Sequence, residues 1–266
     1  MAARTEQEVR KVATTWLAGM DLLLPAAARS EARPEPTDPR WGRRHIAHVM
    51  VWLTDTLQTL EVPTTLRPMA LWELLRERAA ATPMLARIGT QVSADDTPQD
   101  LLPQARSLVL TARNALGAGR SLPVTVETLV GPARFVDHLR VGLVEAATLG
   151  MRDGLTLPRP VLMEVSRTLA TALGQVHGGR TIEMRVPPAT AVQLSARDAG
   201  PDHHRGTPPN VAETDMTTFI ALATGLTTWD DARSAGRIQA SGSHVEDVAD
   251  MLPVIPLASS LTALLD

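Results

Sequence analysis

The sequence contains no cysteine, and this absence excludes several kinds of chemistry. The chain can form no disulfide and no thiolate zinc site, and it has no nucleophilic thiol of its own. Any sulfur chemistry would therefore need a thiol supplied by a cofactor.

Lysine and long apolar runs are also scarce. Lys11 is the only lysine among 26 basic residues, and 29 acidic residues outnumber them, which leaves no general electrostatic reason to bind nucleic acid. No apolar run reaches the roughly 18 residues of a membrane-spanning helix. The opening MAARTEQEVRK lacks the apolar stretch of a signal peptide. We therefore expect a cytoplasmic protein that binds no nucleic acid and inserts into no membrane.

The chain has enough hydrophobic residues, 44% of 266, to form the core of one large domain or of two smaller ones. Apolar residues recur every three or four positions from Glu6 to Leu24 and again around Ile46 to Leu60, which predicts amphipathic helices. Further helices are expected after Pro68, near Asp100 and from about Pro132. The first 150 residues are therefore predicted to be almost entirely helical.

The pattern changes after Gly150. Residues 151–160, MRDGLTLPRP, combine glycine with prolines and are typical of a linker, and strands are predicted only beyond them. We place a domain boundary near residue 154, giving a helical domain over residues 1–154 and a second domain over residues 155–266.

The stretch from Thr207 to Gly242 carries the most informative pattern. Residues 210–214 are predicted to be a strand, and Asp215 is expected to cap a helix that Gly225 ends. A short helical turn over residues 230–235 and a strand over residues 237–241 follow.

These elements, with RVPP, RGTPPNV, ETD and GRIQASG in this order, make about residues 159–257 resemble a bacterial branch of the sterol carrier protein family. The resemblance implies an α+β domain in which a mostly antiparallel sheet and its covering helices enclose an apolar tunnel. The implied ligand is a fatty acyl chain, a sterol or a similar molecule. The side chains that could line the tunnel are Val192, Leu194, Phe219, Ile220, Leu222, Trp229, Met251, Leu252, Val254 and Ile255. Apolar spacing is equally typical of a filled core.

A cationic loop, His203, His204 and Arg205, lies close in sequence to the proposed tunnel. Arginine presents a fixed fork of donors to carboxylates and phosphates, so this loop could hold a ligand's head group. The same residues are also typical of a solvated loop.

Roughly residues 5–150 resemble the DinB-like helical domain of mycothiol-dependent maleylpyruvate isomerases, and the motif RWGRRHIAHVMVW is the first sign of this resemblance. This resemblance implies an up-down four-helix bundle. In that family a histidine on the second helix and a Glu-x-x-x-His pair on the last helix bind a divalent metal. His48 and Glu145 match two of these ligands, but Leu149 stands at the third. A catalytic zinc normally has three protein ligands, so we expect no metal, and we interpret His48 as an ordinary histidine rather than a metal ligand.

The predicted fold is therefore a two-domain α+β protein, and three functions remain open. The first is non-enzymatic binding of an apolar or amphipathic molecule. The second is an isomerase or S-transferase that uses a divalent metal such as zinc with mycothiol. The third is a scaffold or interaction module. The sequence contains no Gly-rich phosphate loop and no Gly-x-Ser-x-Gly elbow, and the oligomeric state is left open.

Overall fold

The structure is a computed structural model that describes residues 2–24, 39–92, 95–117, 119–197 and 210–262. Its first half contains five described helices, at Ala2–Leu23 (α1), Pro39–Thr59 (α2), Leu71–Val92 (α3), Pro98–Leu116 (α4) and Phe135–Arg152 (α5). The expected helices are therefore present. The described part contains five of them rather than four, so the up-down four-helix arrangement remains a proposal.

Buried stripes join these helices. Val12, Trp16 and Met20 on α1 are at most 2% exposed, and α1 packs against α5 and α4, while α2 packs against α3 and α4. A capping box starts α4: Thr97 accepts the backbone N–H of Asp100, whose carboxylate accepts the N–H of Thr97. Each helix thus covers its apolar face with at least one neighbour.

A β-hairpin interrupts the helical half and corrects our prediction of helix from about Pro132. Its strands are Thr125–Thr128 (β1) and Gly131–Arg134 (β2), paired antiparallel. Gly131 has φ +121°, a conformation that glycine adopts readily and other residues rarely do, so the chain turns here instead of continuing a helix. The hairpin is also hydrogen-bonded to the connection between α2 and α3, because Glu127 donates its N–H to the carbonyl of Val62.

The second half combines one sheet with helices. It comprises Arg159–His177 (α6), Gly178–Val186 (β3), Thr190–Leu194 (β4), Asn210–Thr214 (β5), Met216–Thr224 (α7), Trp229–Ser234 (α8), Ile238–Ser241 (β6), a 3-10 helix at Val245–Met251, and Leu257–Thr262 (α9). The strand order is β4-β3-β5-β6, with β3 and β5 parallel and the other two pairings antiparallel. A mixed α+β fold with a mostly antiparallel sheet is therefore confirmed.

The two halves share one continuous apolar core. Helix α6 packs against β4 and α7 and also against α1, α3 and α5, while α9 packs against α3 and α5. Arg140 on α5 adds a polar tie, because its guanidinium contacts Glu8 on α1 at 2.7 Å, Asp137 at 3.1 Å and Glu164 on α6 at 3.0 Å. The proposed boundary near residue 154 falls between α5 and α6. The division into two domains remains a proposal.

None of the described helices has the length and apolar character needed to cross a membrane.

Candidate functional sites

An open apolar groove lies at one end of the second half, where α7, α8, the 3-10 helix and the start of α9 meet. Its volume is about 380 Å³, within the range of roughly 300–1,000 Å³ that is usual for small-molecule pockets. Its apolar lining consists of Leu222, Trp229, Ala249, Leu252, Pro253 and Pro256.

Local backbone chemistry builds this groove. Gly225 ends α7 in a left-handed conformation, φ +80°, which turns the chain sharply toward α8. Thr228 caps α8 by accepting the N–H of Asp231. The opposite wall is tied to α7 because Ile255 donates its N–H to the carbonyl of Ala223 at 3.1 Å. The turn between α7 and α8 and the opposite wall of the groove are therefore both held in place by local backbone interactions.

Trp229 is the largest side chain of the groove, and its position is fixed. Its indole N–H donates to Glu246 at 2.6 Å, and the other carboxylate oxygen of Glu246 accepts from Arg233 at 3.1 Å. Because the polar edge of the ring is already bonded, the ring contributes apolar surface to the groove.

The groove brings together only some of the residues expected to bind a ligand. Leu222, Trp229 and Leu252 line it. The other seven predicted residues are not part of its lining. Of these, Leu194, Phe219 and Ile220 are completely buried and Met251 and Ile255 are almost so, while Val192 and Val254 are half-buried. These seven residues accordingly contribute to the packed interior.

The polar rim of the groove carries a negative charge. Gly225, Thr227, Thr228, Ser259 and Asp230 complete the lining, and Asp230 is the one charged side chain among the described lining residues. The predicted head-group residues His203, His204 and Arg205 lie outside the described residues, so their interaction with a ligand remains a prediction.

A second candidate is a buried polar cluster in the helical half. It is contributed by three helices, and every member is at most 6% exposed. The members are His48, Trp52 and Asp55 on α2, Arg78 and Thr82 on α3, and His138 and Glu145 on α5. The structure thus brings His48 and Glu145 together, as the alternative metal site requires.

Arg78 lies at the centre of this cluster. Its Nη1 donates to Asp55 Oδ2 at 3.0 Å, its Nε lies 3.6 Å from Glu145 Oε2, and its Cζ is 3.8 Å from the centre of the Trp52 ring. A desolvated guanidinium above an indole face makes a favourable cation–π contact. The cluster therefore has its own permanent cation.

Sequence reasoning missed Arg78, although a signal for it was present. Leu71, Leu74, Leu75, Arg78 and Thr82 follow one another at steps of one to four residues, which places Arg78 on the buried face of α3. Helical periodicity also predicts Asp55, because it lies seven residues after His48 and therefore on the same face of α2.

His48 is a neutral hydrogen-bond acceptor. Trp52 donates its indole N–H to His48 Nε2 at 3.1 Å, so that nitrogen carries no proton. Burial, followed by the charge of Arg78, lowers the pKa of His48 to about 3. The distance of 3.4 Å between Nε2 and Glu145 Oε1 is therefore not an ion pair at neutral pH.

Burial and the neighbouring groups have opposite effects on the pKa of Glu145. Burial raises the pKa of its carboxyl group, whereas the charge of Arg78 and the hydrogen bond with Thr82 oppose that rise. Thr82 Oγ1 lies 3.1 Å from Oε1, and Oε2 has no hydrogen-bond partner among the described residues. Glu145 thus depends on Arg78 and Thr82 for its compensation.

His138 completes the cluster on α5. Its Nε2 is 3.0 Å from Thr56 Oγ1, and its ring stacks on Phe135. Burial lowers its pKa to about 4, while the nearby charges of Asp55 and Arg78 act in opposite directions. A cavity of about 10 Å³ beside His138 and Arg78 is just large enough for one water molecule.

The cluster does not fit a divalent metal. The separation of His48 Nε2 and Glu145 Oε1 alone would suit two zinc ligands, but the lone pair of His48 Nε2 already accepts the Trp52 N–H. Leu149, one turn after Glu145, is an apolar residue buried on α5. Among the described residues there is no group of three or more His, Asp or Glu that could hold a metal ion.

Comparison with known proteins finds a family resemblance in the second half. Residues 158–254 match the family described as bacterial SCP ortholog. The resemblance to sterol carrier proteins that the motifs predicted is therefore confirmed for this part of the chain.

Most of the chain is also similar to a solved structure of a mutant of mycothiol-dependent maleylpyruvate isomerase. The similarity has a TM-score of 0.42 and 13% sequence identity, and it covers 91% of this chain and 93% of that chain. A likeness at this level carries no argument about the function of the helical half. A comparison with curated proteins gives no match.

Proposed function

We propose that the protein binds and carries a small apolar or amphipathic molecule in the groove beside Trp229, without catalysing a reaction on it. The observation that carries this proposal is the open apolar groove of about 380 Å³, which lies within the segment that matches the sterol carrier family except at its α9 end. Removing a ligand's apolar surface from water drives binding, and no catalytic residue is needed.

The rim of the groove supports a preference for the ligand's polar end. Because Asp230 is the one charged side chain in the described lining, a neutral or cationic polar end is favoured over a carboxylate. Asp230 is exposed to solvent, so water screens its charge, and the discrimination should amount to roughly 2- to 5-fold.

The fluorescence of Trp229 provides the test. Wild-type protein is titrated with three amphiphiles of equal chain length: a monoacylglycerol, a fatty acid and an alkyltrimethylammonium. We expect all three to change the emission, the fatty acid at a roughly 2- to 5-fold higher concentration than the other two, and native mass spectrometry to show one bound molecule. Trp229→Phe should remove the signal while retaining binding. Absence of uptake for all three amphiphiles would refute the proposal.

Two variants test the groove itself. Leu252→Asp places a charge on its apolar wall and should weaken binding at least about 10-fold, because that charge must be desolvated. Leu110→Asp is the matched control, since Leu110 is 57% exposed on α4, and it should bind like wild type. Asp230→Asn should bring the fatty acid to parity with the monoacylglycerol. If the fatty acid binds best to wild type, the charge preference is wrong while the groove stands.

The buried cluster does not favour the isomerase alternative. That alternative needs a metal, and the residues around Arg78 do not fit one. We therefore propose no reaction for the helical half.

A further inference from the structure

The buried cluster of the helical half already contains a cation. Arg78 lies between two carboxylates, 3.0 Å from Asp55 and 3.6 Å from Glu145, with Trp52 against its guanidinium. We infer that Arg78 is the resident cation of this cluster and that it excludes a divalent metal ion from His48 and Glu145.

The first argument is electrostatic. A metal bound to Glu145 would lie within a few ångströms of a guanidinium that cannot lose its proton in a protein. Both would be buried, where repulsion between like charges is only weakly screened. The negative charge that would otherwise attract a metal is partly neutralised, because Asp55 is already paired with Arg78.

The second argument concerns the ligand atoms. A metal on His48 Nε2 would have to displace the indole N–H of Trp52 and leave that buried donor without a partner. The third ligand position is also closed, because Leu149 presents only carbon one turn beyond Glu145 on the same helix face. Displacing the Trp52 N–H lowers the affinity for a metal, whereas Arg78 and Leu149 are obstacles that a metal cannot displace. These two obstacles can be removed separately by substitution.

The experiment measures binding of Co²⁺, whose visible absorption reports an inner-sphere site, in full-length protein purified without chelator. Four proteins are compared: wild type, Leu149→His, Arg78→Met with Asp55→Asn, and the variant combining all three substitutions. Asp55→Asn accompanies Arg78→Met so that Asp55 is not left as an unpaired buried carboxylate, while Glu145 keeps its contact with Thr82 and is free to bind the metal. We expect only the triple variant to bind one equivalent, at least about 10-fold more tightly than Leu149→His alone.

Three results would overturn the inference. The first is a full equivalent of Co²⁺ on wild type that is lost in His48→Ala. The second is equal affinity in Leu149→His and the triple variant, since Arg78 would then exclude nothing. The third is a folded triple variant that fails to bind, which would count against Arg78 as the obstacle. If the triple variant does not fold, wild type and Leu149→His still decide, because tight binding by either contradicts the inference and weak binding by both supports it.

Discussion

Single buried residues decide which charges persist inside the helical half. The guanidinium of Arg78 is buried with Asp55, Glu145 and the Trp52 ring around it, and these groups compensate its charge. His138 behaves in the opposite way, because burial makes the protonated ring costly and the ring remains neutral. One cluster therefore holds a permanent cation next to a histidine that resists protonation.

The neutral state of His138 predicts that acid destabilises the protein. Between the unfolded pKa of 6.5 and the folded pKa of about 4, the unfolded chain binds a proton that the folded protein does not. The free energy of unfolding should therefore fall as the pH falls through this window. The contribution of His138 should be about 2–3 kcal/mol between pH 6.5 and 4.5.

Urea unfolding at several pH values measures this effect in wild type and in His138→Gln. Between pH 6.5 and 4.5, His138→Gln should lose about 2–3 kcal/mol less unfolding free energy than wild type. Contributions from other groups, including the opposing one from Glu145, are common to both proteins and cancel in this comparison. His177→Gln is the control and should change the slope less, since His177 is only partly buried. Parallel pH profiles for wild type and His138→Gln would contradict the assignment.

Residue patterns in the sequence predicted part of this cluster. They placed His48 and Glu145 on particular helices, but they did not reveal the partners on other helices. Arg76 and Arg78 are chemically identical and only two positions apart, yet only Arg78 is buried, and the carboxylates it meets lie 23 and 67 residues away in sequence. Periodicity identifies the buried face of a helix, whereas pairing across helices depends on how the helices are arranged.

At the scale of elements, α5 lies unusually close to α1 and α2 at Gly142. A Cβ at this position would come within 2.5 Å of the Trp52 ring and 2.8 Å of Trp16 Nε1. Both tryptophans are almost completely buried, so neither can move aside easily. The absence of a side chain at residue 142 is what allows two large aromatic side chains to pack against α5.

Gly142→Ala should therefore destabilise the protein, although alanine is intrinsically the better helix residue. We expect a loss of about 1–3 kcal/mol from overpacking, measured by urea unfolding. Gly89→Ala on α3 is the matched control, because its Cβ would meet Val51 and Ala47 at ordinary distances of 3.5–3.6 Å. That substitution should be neutral or stabilising. Equal effects at both positions would show that the close approach at Gly142 is unimportant.

The elements of the second half were easier to predict than the hairpin of the first. Asp215 accepts the N–H of Thr218 and starts α7, and Gly225 ends it, as the sequence predicted. These signals are local, since a cap and a left-handed glycine act on their own helix. The hairpin strands have only four residues each, and Val126 is buried because distant segments cover it. Such a short pair gives no periodic pattern of its own.

At the scale of the whole molecule, α6 belongs to two environments. It packs against β4 and α7 on one side and against α1, α3 and α5 on the other. Val161, Val165 and Leu169 on this helix are at most 1% exposed and lie in the same core cluster as the helical half. Neither half can bury this surface alone.

We therefore predict that the full-length chain unfolds in one cooperative transition. Signals from Trp52 in the helical half and Trp229 in the second half should change at the same urea concentration, because each half loses apolar contacts when the other unfolds. Single-tryptophan variants, in which the other tryptophans are replaced by phenylalanine, distinguish the two signals. Two separated midpoints would show that the halves are independently stable and would favour the proposed division near residue 154.

The three carboxylates around Arg140 also bear on how such a protein can change by recombination. Glu8 and Asp137 precede residue 154, whereas Glu164 follows it, and one guanidinium contacts all three. A chimera that took residues 155–266 from a related chain would bring in a residue 164 that had been selected beside a different partner. The two halves are therefore expected to be inherited together, with compensating changes at positions 8, 137, 140 and 164.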